Sequence, residues 1–171
     1  MRSFIIFCAQ YLIAIAGVAA LGVVVYRLRG ASRRRIVSYV VMVVLIFGIS
    51  FVVARIASAV YHDPRPFVVE HKKPYISHPA DNGFPSDHAL LAAAFVAAVA
   101  LVDVWLAVPF VVLAGLVDWG RVASRLHHVT DVVGSTVIVA VVTLVVVAVA
   151  AAGDARGWWR TRDELDPAER T

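Results

Sequence analysis

The stretch NGFPSDH, residues Asn82–His88, runs directly into the apolar segment Ala89–Val102 and decides the architecture of this chain. Gly83 and Pro85 interrupt regular backbone, and Ser86 is a residue type favoured at the N-cap of a helix. The predicted helix enters apolar sequence at once, so its free N–H groups lie at a membrane–water boundary. A helix N-terminus in that position favours anions, of which phosphate is the commonest example.

Ser86 and His88 lie two residues apart at this helix start. A hydroxyl and an imidazole so placed can together bind an anion and pass it a proton. The simpler alternative is a capped helix whose histidine has no chemical role. The segment by itself leaves both interpretations open.

Composition places the chain in the membrane. Of its 171 residues 61% are hydrophobic and the mean hydropathy is +0.82, whereas roughly 45–50% apolar residues are usual in soluble domains. The length predicts one domain. The single cysteine, Cys8, excludes an internal disulfide and is predicted to serve packing. The net charge of +4 is carried by arginines between apolar runs, which indicates membrane topology and anionic lipids as partners rather than nucleic acid.

The apolar runs predict an all-α, polytopic transmembrane bundle of about five spanning helices. A single domain is expected over residues 1–153, followed by a polar cytoplasmic tail over residues 154–171. A cleaved signal peptide is the alternative for the first run, but its apolar region is too long and no clean cleavage site follows. The predicted spans are Phe4–Tyr26, Ile36–Val60, Phe84–Val102, Val104–Ala123 and Val129–Ala152.

The third and fourth spans are predicted to form a hairpin. Residues Ala89–Val117 are apolar except for Asp103, and one helix of that length would exceed the roughly 30 Å of membrane hydrocarbon. A turn at Asp103 divides the run into two spans. It also returns the polar segment after Trp119 to the side of the membrane that holds His88.

Arginine distribution predicts the orientation. Five arginines crowd the first loop and four more follow the last span, and cytoplasmic segments carry such an excess. The segments Tyr61–Ser86 and Gly120–Thr130 then face outward, and we expect a multi-pass protein of the cell (plasma) membrane with its site facing outside. Trp158, Trp159 and Arg160 are typical of an interfacial anchor. The arginines are Arg27, Arg29, Arg33, Arg34 and Arg35 in the loop, and Arg156, Arg160, Arg162 and Arg170 in the tail.

Three polar clusters fall on this outer side. The first is Asp63–Phe67, where two prolines hold Arg65 in extended backbone, and the second is Pro85–His88. The third contains Arg121, then His127 six residues later and Asp131 four further on. Residues four apart share a helix face, so we expect Asp131 to accept a hydrogen bond from one ring nitrogen of His127 and leave the other basic.

These clusters resemble the type 2 phosphatidic acid phosphatase (PAP2) superfamily. Arg65-Pro66 matches the end of its first motif, and Pro85–His88 matches its Pro-Ser-Gly-His motif with Asp87 in place of glycine. The third motif, Ser-Arg followed by His and Asp, matches at Arg121, His127 and Asp131, with Gly120 where serine is usual. The Ser124-Arg125 pair does not fit, because Arg125 lies only two residues before His127. The Phe-Pro-Ser-Asp-His variant is most similar to undecaprenyl diphosphate phosphatases of the bacitracin-resistance type.

The first motif departs from the family pattern. Its basic residue would fall at Ser58, whereas the nearest cation is Arg55, one helical turn deeper in the second span. A charge inside a span is a functional candidate, so Arg55 is preferred. Lys72 and Lys73 remain alternatives.

The resemblance implies a hydrolase acting on the terminal phosphate of undecaprenyl (polyprenyl) diphosphate. It implies His127 as the nucleophile that forms a phosphohistidine, His88 as general acid and base, and Asp131 as the partner of His127. Arg65, Ser86, Arg121 and Arg55 would bind phosphate. No cofactor or metal is expected, since the spacings of His62, His71, His78 and His128 form no metal set. His128 is expected to point away from Asp131, and His78, Asp81 and Asn82 to be loop structure or the rim of the site.

Two rival functions stay open. The same chemistry could act on phosphatidylglycerol phosphate or phosphatidic acid, because an apolar tail groove would suit any of these lipids. A protein of a different class, such as a transporter subunit or scaffold, could retain an anion site without catalysis. A homo-oligomer is compatible with the sequence.

The orientation can be checked by cysteine labelling. A cysteine placed in the Tyr61–Ser86 loop is expected to react with a membrane-impermeant reagent added outside the cell. Labelling from the cytoplasmic side only would contradict the outward orientation.

Overall fold

The computed structural model describes the backbone of residues 1–155 and the side chains of residues 1–153. The predicted anchor at Trp158–Arg160, and with it nearly all of the predicted tail, lies outside these residues. The described chain is all-α, with one isolated bridge between Pro64 and Asn82. Its helices are α1 (Arg2–Leu28, with a π-helical turn at Phe7–Tyr11), α2 (Arg33–Val60), α3 (Pro66–Val69), α4 (Asp87–Ala100), α5 (Val104–Ala123) and α6 (Val129–Ala155).

Four of these helices are long and apolar enough to cross a membrane, namely α1, α2, α5 and α6. The helix at the predicted third span, roughly Phe84–Val102, is a few residues shorter at each end, because α4 has only 14 residues. Ser86 caps its N-terminus after Pro85, and a turn precedes Asp103. At about 1.5 Å per residue, α4 is shorter than a typical hydrocarbon core of about 30 Å. The other four spans are found within a few residues of their predicted bounds.

The short helix α4 is the centre of the bundle, where it packs against α1, α2, α5 and α6. Small side chains permit this, because they let helix backbones approach closely where water cannot drive association. The buried alanines of α4 are Ala89, Ala92, Ala94, Ala97 and Ala98. The longer helices expose apolar side chains such as Val18, Val44 and Val108, as expected for surfaces in contact with lipid.

The predicted hairpin between α4 and α5 is confirmed. Asp103 caps α5, and its Oδ1 accepts hydrogen bonds from the backbone N–H groups of Trp105 (2.9 Å) and Leu106 (3.1 Å). Its Oδ2 lies 3.0 Å from Arg27 Nη2 at the end of α1. The arginine-rich loop therefore lies at the same end of the bundle as this turn, and the C-terminus of α5 returns to the end where α4 begins.

Gly120 allows α5 to approach α1 unusually closely. A Cβ at this position would lie 2.7 Å from the backbone nitrogen of Ala9 and 2.9 Å from Cys8 Cβ. These atoms belong to the π-helical turn of α1, so little room can be made by moving a flexible side chain. The contact provides a physical reason for glycine where the resemblance leads one to expect serine, and it buries Cys8 in the packing role predicted for it.

We therefore expect Gly120→Ala to lower the stability of the protein by about 1–3 kcal/mol, the usual cost of overpacking. The matched control is Gly115→Ala on the same helix, where an added Cβ meets nothing within 4 Å. Thermal unfolding in detergent would show a lower Tm for Gly120→Ala only. Equal Tm values for the two variants would contradict the close contact.

Candidate active site

One end of the bundle gathers the polar clusters around a cavity of about 190 Å³. The start of α3, the first turn of α4, the last turn of α5 and the turn before α6 meet there. Arg65, His88, Arg121 and His127 all line it. The remaining lining residues are Ala54, Arg55, Ser58, His78, Asp81, Asn82, Phe84, Pro85 and Asp87.

Arg65 is the N-cap residue of α3 and is only 5% exposed. Its Nε donates to Asp81 Oδ1 at 2.7 Å, and its Nη1 donates to the carbonyl oxygen of Leu126 at 2.9 Å. The flanking prolines predicted an extended backbone here, and Arg65 has φ −56° and ψ 147°. The guanidinium is thus held rigidly, with Nη1 also facing His127.

Arg121 reaches the same place from α5 and is likewise 5% exposed. Its Nη1 donates to the carbonyl oxygen of Ala9 at 3.4 Å, so the first helix helps to position the group. Its Nε is buried and makes no hydrogen bond with any described residue. A buried guanidinium N–H without a partner is costly, because its hydrogen bond to water is lost.

The two arginines converge on one imidazole nitrogen. Nε2 of His127 lies 3.2 Å from Arg65 Nη1 and 3.1 Å from Arg121 Nη2. Guanidinium groups only donate, so Nε2 must be the acceptor and the ring proton must lie on Nδ1. That nitrogen is 2.9 Å from the carbonyl oxygen of Gly83. The surroundings therefore select the tautomer whose Nε2 lone pair faces the cavity.

Asp131 approaches His127, although not by the predicted route. His127 precedes α6 and does not share a helix face with Asp131, whose Oδ2 lies 3.4 Å from His127 Nδ1. The same oxygen accepts a 2.8 Å hydrogen bond from the backbone N–H of His128. The nearer acceptor for His127 is the Gly83 carbonyl, which the sequence did not single out. A Cβ at Gly83 would lie 3.1 Å from Asp131 Oδ2, so glycine keeps the two partners close.

His88 and Ser86 separate in the structure. His88 is half-buried on the cavity wall, and its ring makes no hydrogen bond within the part of the chain that the structure describes. Ser86 is fully buried and does not line the cavity; its Oγ accepts from the backbone N–H of Ala89 at 3.5 Å. The observed role of Ser86 is to cap α4, and its contact with phosphate stays a prediction.

Arg55 is an exposed residue that lines the cavity. Lys72 forms an ion pair with Glu70 at 3.0 Å, and neither Lys72 nor Lys73 is part of the cavity wall. Arg55 is thus closer to the cavity than the loop lysines, and its contact with phosphate stays a prediction. Arg125 donates to the carbonyl of Lys73 at 3.2 Å and stays outside the cavity, as its spacing predicted.

Asn82 joins the clusters together. Its Nδ2 donates to the carbonyl oxygens of Ser58 (3.0 Å) and Tyr61 (2.9 Å) at the end of α2. Its Oδ1 accepts from the backbone N–H groups of Asp63 (2.9 Å) and Phe84 (3.0 Å). Sequence reasoning assigned Asn82 only to loop structure or the rim of the site; its place directly before the Gly83 turn was the available signal.

Comparison with known proteins identifies the family. A sequence profile of the PAP2 superfamily matches residues 36–153, which is more than half of the chain. The chain belongs to the PAP2 superfamily. This PAP2 protein has Ser58 where the family motif has a basic residue, and Ser58 binds Asn82 while Arg55 supplies a charge one turn earlier.

Three relatives extend the comparison. Undecaprenyl-diphosphatase BcrC of Bacillus subtilis is 33% identical over 91 residues, which is 53% of this chain and 47% of that protein. Putative undecaprenyl-diphosphatase YbjG of Escherichia coli is 30% identical over 135 residues, 78% of this chain and 66% of that protein. Bacitracin transport permease protein BcrC of Bacillus licheniformis is 30% identical over 114 residues, 66% of this chain and 55% of that protein. The chain thus spans about half to two thirds of the length of these relatives. No solved structure matches it.

The environment of His127 predicts its titration. Burial lowers the pKa of His127 from its ordinary 6.5, contact with Asp131 opposes this, and the charges of Arg121 and Arg65 lower the pKa further. The neutral ring, whose Nε2 carries no proton, therefore persists below pH 6.5. An NMR titration of histidine-labelled protein, assigned with His127→Asn, should show this. Arg121→Gln should raise the His127 pKa, because a neighbouring cation is removed, and an unchanged or lower value would contradict the proximity.

Proposed function

We propose that this PAP2 protein is an undecaprenyl-diphosphate phosphatase, which removes the terminal phosphate of undecaprenyl diphosphate or a similar polyprenyl diphosphate. The main support is the convergence of Arg65 and Arg121 on Nε2 of His127 inside a polar cavity. The site would face the outside of the cell membrane, as the arginine distribution predicts. Hydrolysis there would regenerate the lipid carrier of cell-wall synthesis.

The electrostatics of the cavity favour a phosphate group. Two nearly buried guanidinium groups repel each other, and Asp81 offsets only part of their charge. An anion between them would relieve this repulsion. Guanidinium groups suit phosphate particularly well, because they can donate two parallel hydrogen bonds to its oxygens.

In the proposed first step, Nε2 of His127 attacks the terminal phosphorus. A P–N bond forms and the bond from phosphorus to the bridging oxygen breaks, giving a phosphohistidine and a lipid monophosphate. The arginine N–H groups that contact Nε2 in the free protein would then bind the oxygens of the transferring phosphoryl group. The Nδ1 proton stays directed at Gly83 O and Asp131, which stabilise the positive charge that develops on the ring.

His88 is proposed to handle protons in both steps. In its protonated form, which the negative charge of a bound diphosphate would favour, it donates a proton to the departing lipid phosphate. The neutral ring that results then removes one from the water that hydrolyses the phosphohistidine. General acid–base help of this kind typically contributes about 10²–10⁴-fold. Charge stabilisation by the arginines is expected to be at least as important. Since they already supply positive charge at the phosphoryl group, we propose that no metal is required.

A second cavity supports a lipid substrate. It has a volume of about 220 Å³, and Asp87 lines both cavities. Apart from Asp87 and Ser50, its walls are apolar, formed by Phe47, Phe51, Leu90, Leu91 and Ala94. A substrate whose phosphate occupies the polar cavity could place the first part of its chain here. The names of two relatives favour a polyprenyl diphosphate over phosphatidic acid or phosphatidylglycerol phosphate.

A transporter subunit is the second candidate, because one relative carries the name of a bacitracin transport permease. Such a protein would use the arginine pair for binding only. The two candidates therefore differ in whether His127 is required for phosphate release.

Purified protein is expected to release phosphate from undecaprenyl diphosphate faster than from phosphatidic acid, with no loss on addition of EDTA. His127→Ala should lower the rate by about 10³-fold or more, since it removes the attacking atom. His62→Ala, at an exposed histidine outside the cavity, is the matched control and should retain activity. Unchanged phosphate release by His127→Ala would overturn the enzymatic proposal. Faster release from phosphatidic acid would reassign the substrate.

A further inference from the structure

A cluster of three polar side chains lies close to His127 but outside the cavity wall. One oxygen of Asp63, one oxygen of Asp131 and a ring nitrogen of His128 lie within 4.8 Å of one another. None of the three residues lines the cavity. The expectation that His128 points away from Asp131 is therefore wrong, because the turn before α6 brings both its backbone N–H and its ring toward that carboxylate.

The ring nitrogen Nδ1 of His128 faces two carboxylates. It lies 3.3 Å from Asp63 Oδ2 and 4.0 Å from Asp131 Oδ2. The atom is enclosed, yet it makes no well-aligned hydrogen bond with any described residue. An ionised carboxylate has only acceptor atoms, so a proton on Nδ1 is the arrangement that both neighbours favour. His128 thus places an N–H between two acidic groups.

The carboxylate of Asp131 lies close to that of Asp63. Asp131 is fully buried, and Asp63 approaches it from the segment between α2 and α3. Two ionised carboxylates this close repel each other, and an N–H donor between them offsets that repulsion. Without that donor, Asp131 would be pushed from Asp63 and its 3.4 Å contact with His127 Nδ1 would change.

We propose that His128 is a positioning residue, whose Nδ1–H lies between Asp63 and Asp131 and holds Asp131 against His127. This inference rests on the proposed function, in which His127 is the nucleophile. In this arrangement Asp131 contacts the reactive His127, and the side chains of His128 and Asp63 in turn contact Asp131. Such an outer partner fixes ring orientation and basicity without touching the substrate.

Two substitutions of His128 distinguish the effect of losing its side-chain donor from the effect of changed packing. His128→Phe keeps a planar aromatic ring and the backbone N–H that binds Asp131, but removes the side-chain donor. His128→Asn retains an N–H close to the position of Nδ1. We expect His128→Phe to lower kcat about tenfold with KM changed by less than about twofold. An effect of this size is typical when a residue that orients a metal-bound histidine is replaced. His128→Asn should recover most of kcat.

A second change tests the coupling to Asp63. In the His128→Phe background, Asp63→Asn removes one of the two facing charges, so it should restore part of kcat instead of adding a further loss. The backbone groups of Asp63 that bind Gly83 and Asn82 are unaffected. His62→Phe is the control for placing phenylalanine at a neighbouring histidine.

An NMR measurement makes the inference independent of turnover. The His127 Nδ1 resonance should move in His128→Phe and return toward its wild-type position in His128→Asn. An unchanged resonance, together with unchanged kcat or purely additive effects of the two substitutions, would overturn the positioning role.

Metal analysis that finds one ion per chain, lost in His128→Phe, would overturn it in favour of a cation site. An inactive wild-type protein would refute the proposed function, while the resonance still decides the role of His128.

Discussion

The structure depends on bringing two arginine side chains to the same imidazole nitrogen within a membrane bundle. Arg65 and Arg121 both approach Nε2 of His127 within 3.2 Å, and both are almost completely buried. Like charges in a low-dielectric setting are costly unless acceptors surround them. Here the acceptors are Asp81 and the carbonyl groups of Leu126, Asn82 and Ala9, which come from three different segments of the chain. The two guanidinium groups are therefore held by contacts between distant parts of the chain.

Close packing of small residues makes that assembly possible. The alanine-rich helix α4 fits between four neighbours, and Gly120 lets α5 touch the backbone of α1. At the site, Gly83 leaves room for Asp131, and Gly134 leaves room for the ring of Phe84. Phe84 in turn meets Tyr61 edge to face at a centroid distance of 5.1 Å. Small residues thus allow the close packing that positions the polar groups, in addition to stabilising the bundle.

The departures from the family pattern have separate physical explanations. Ser58 stands where the family has a basic residue, and it accepts hydrogen bonds from Asn82. These bonds hold the end of α2 to the loop before α4. Arg55, one turn earlier, brings a positive charge to the same cavity. Gly120 is required by its contact with α1. Asp87, which replaces glycine, lies where the polar and apolar cavities meet, and nothing in the structure explains why a carboxylate is needed there.

The sequence by itself determined the membrane class, the order of the helices, the hairpin at Asp103, and the set of arginines and histidines at one end of the bundle. Apolar run length and motif spacing depend only on local sequence, so they could be interpreted without coordinates. Tertiary structure decided which backbone groups complete the site, because the carbonyls of Gly83, Ala9 and Leu126 carry no signature in a sequence. It also placed Ser86 beneath the cavity wall, shortened α4, and turned His128 toward Asp131. Those outcomes depend on helix ends and on contacts between distant segments, where the path of the backbone decides which atoms meet.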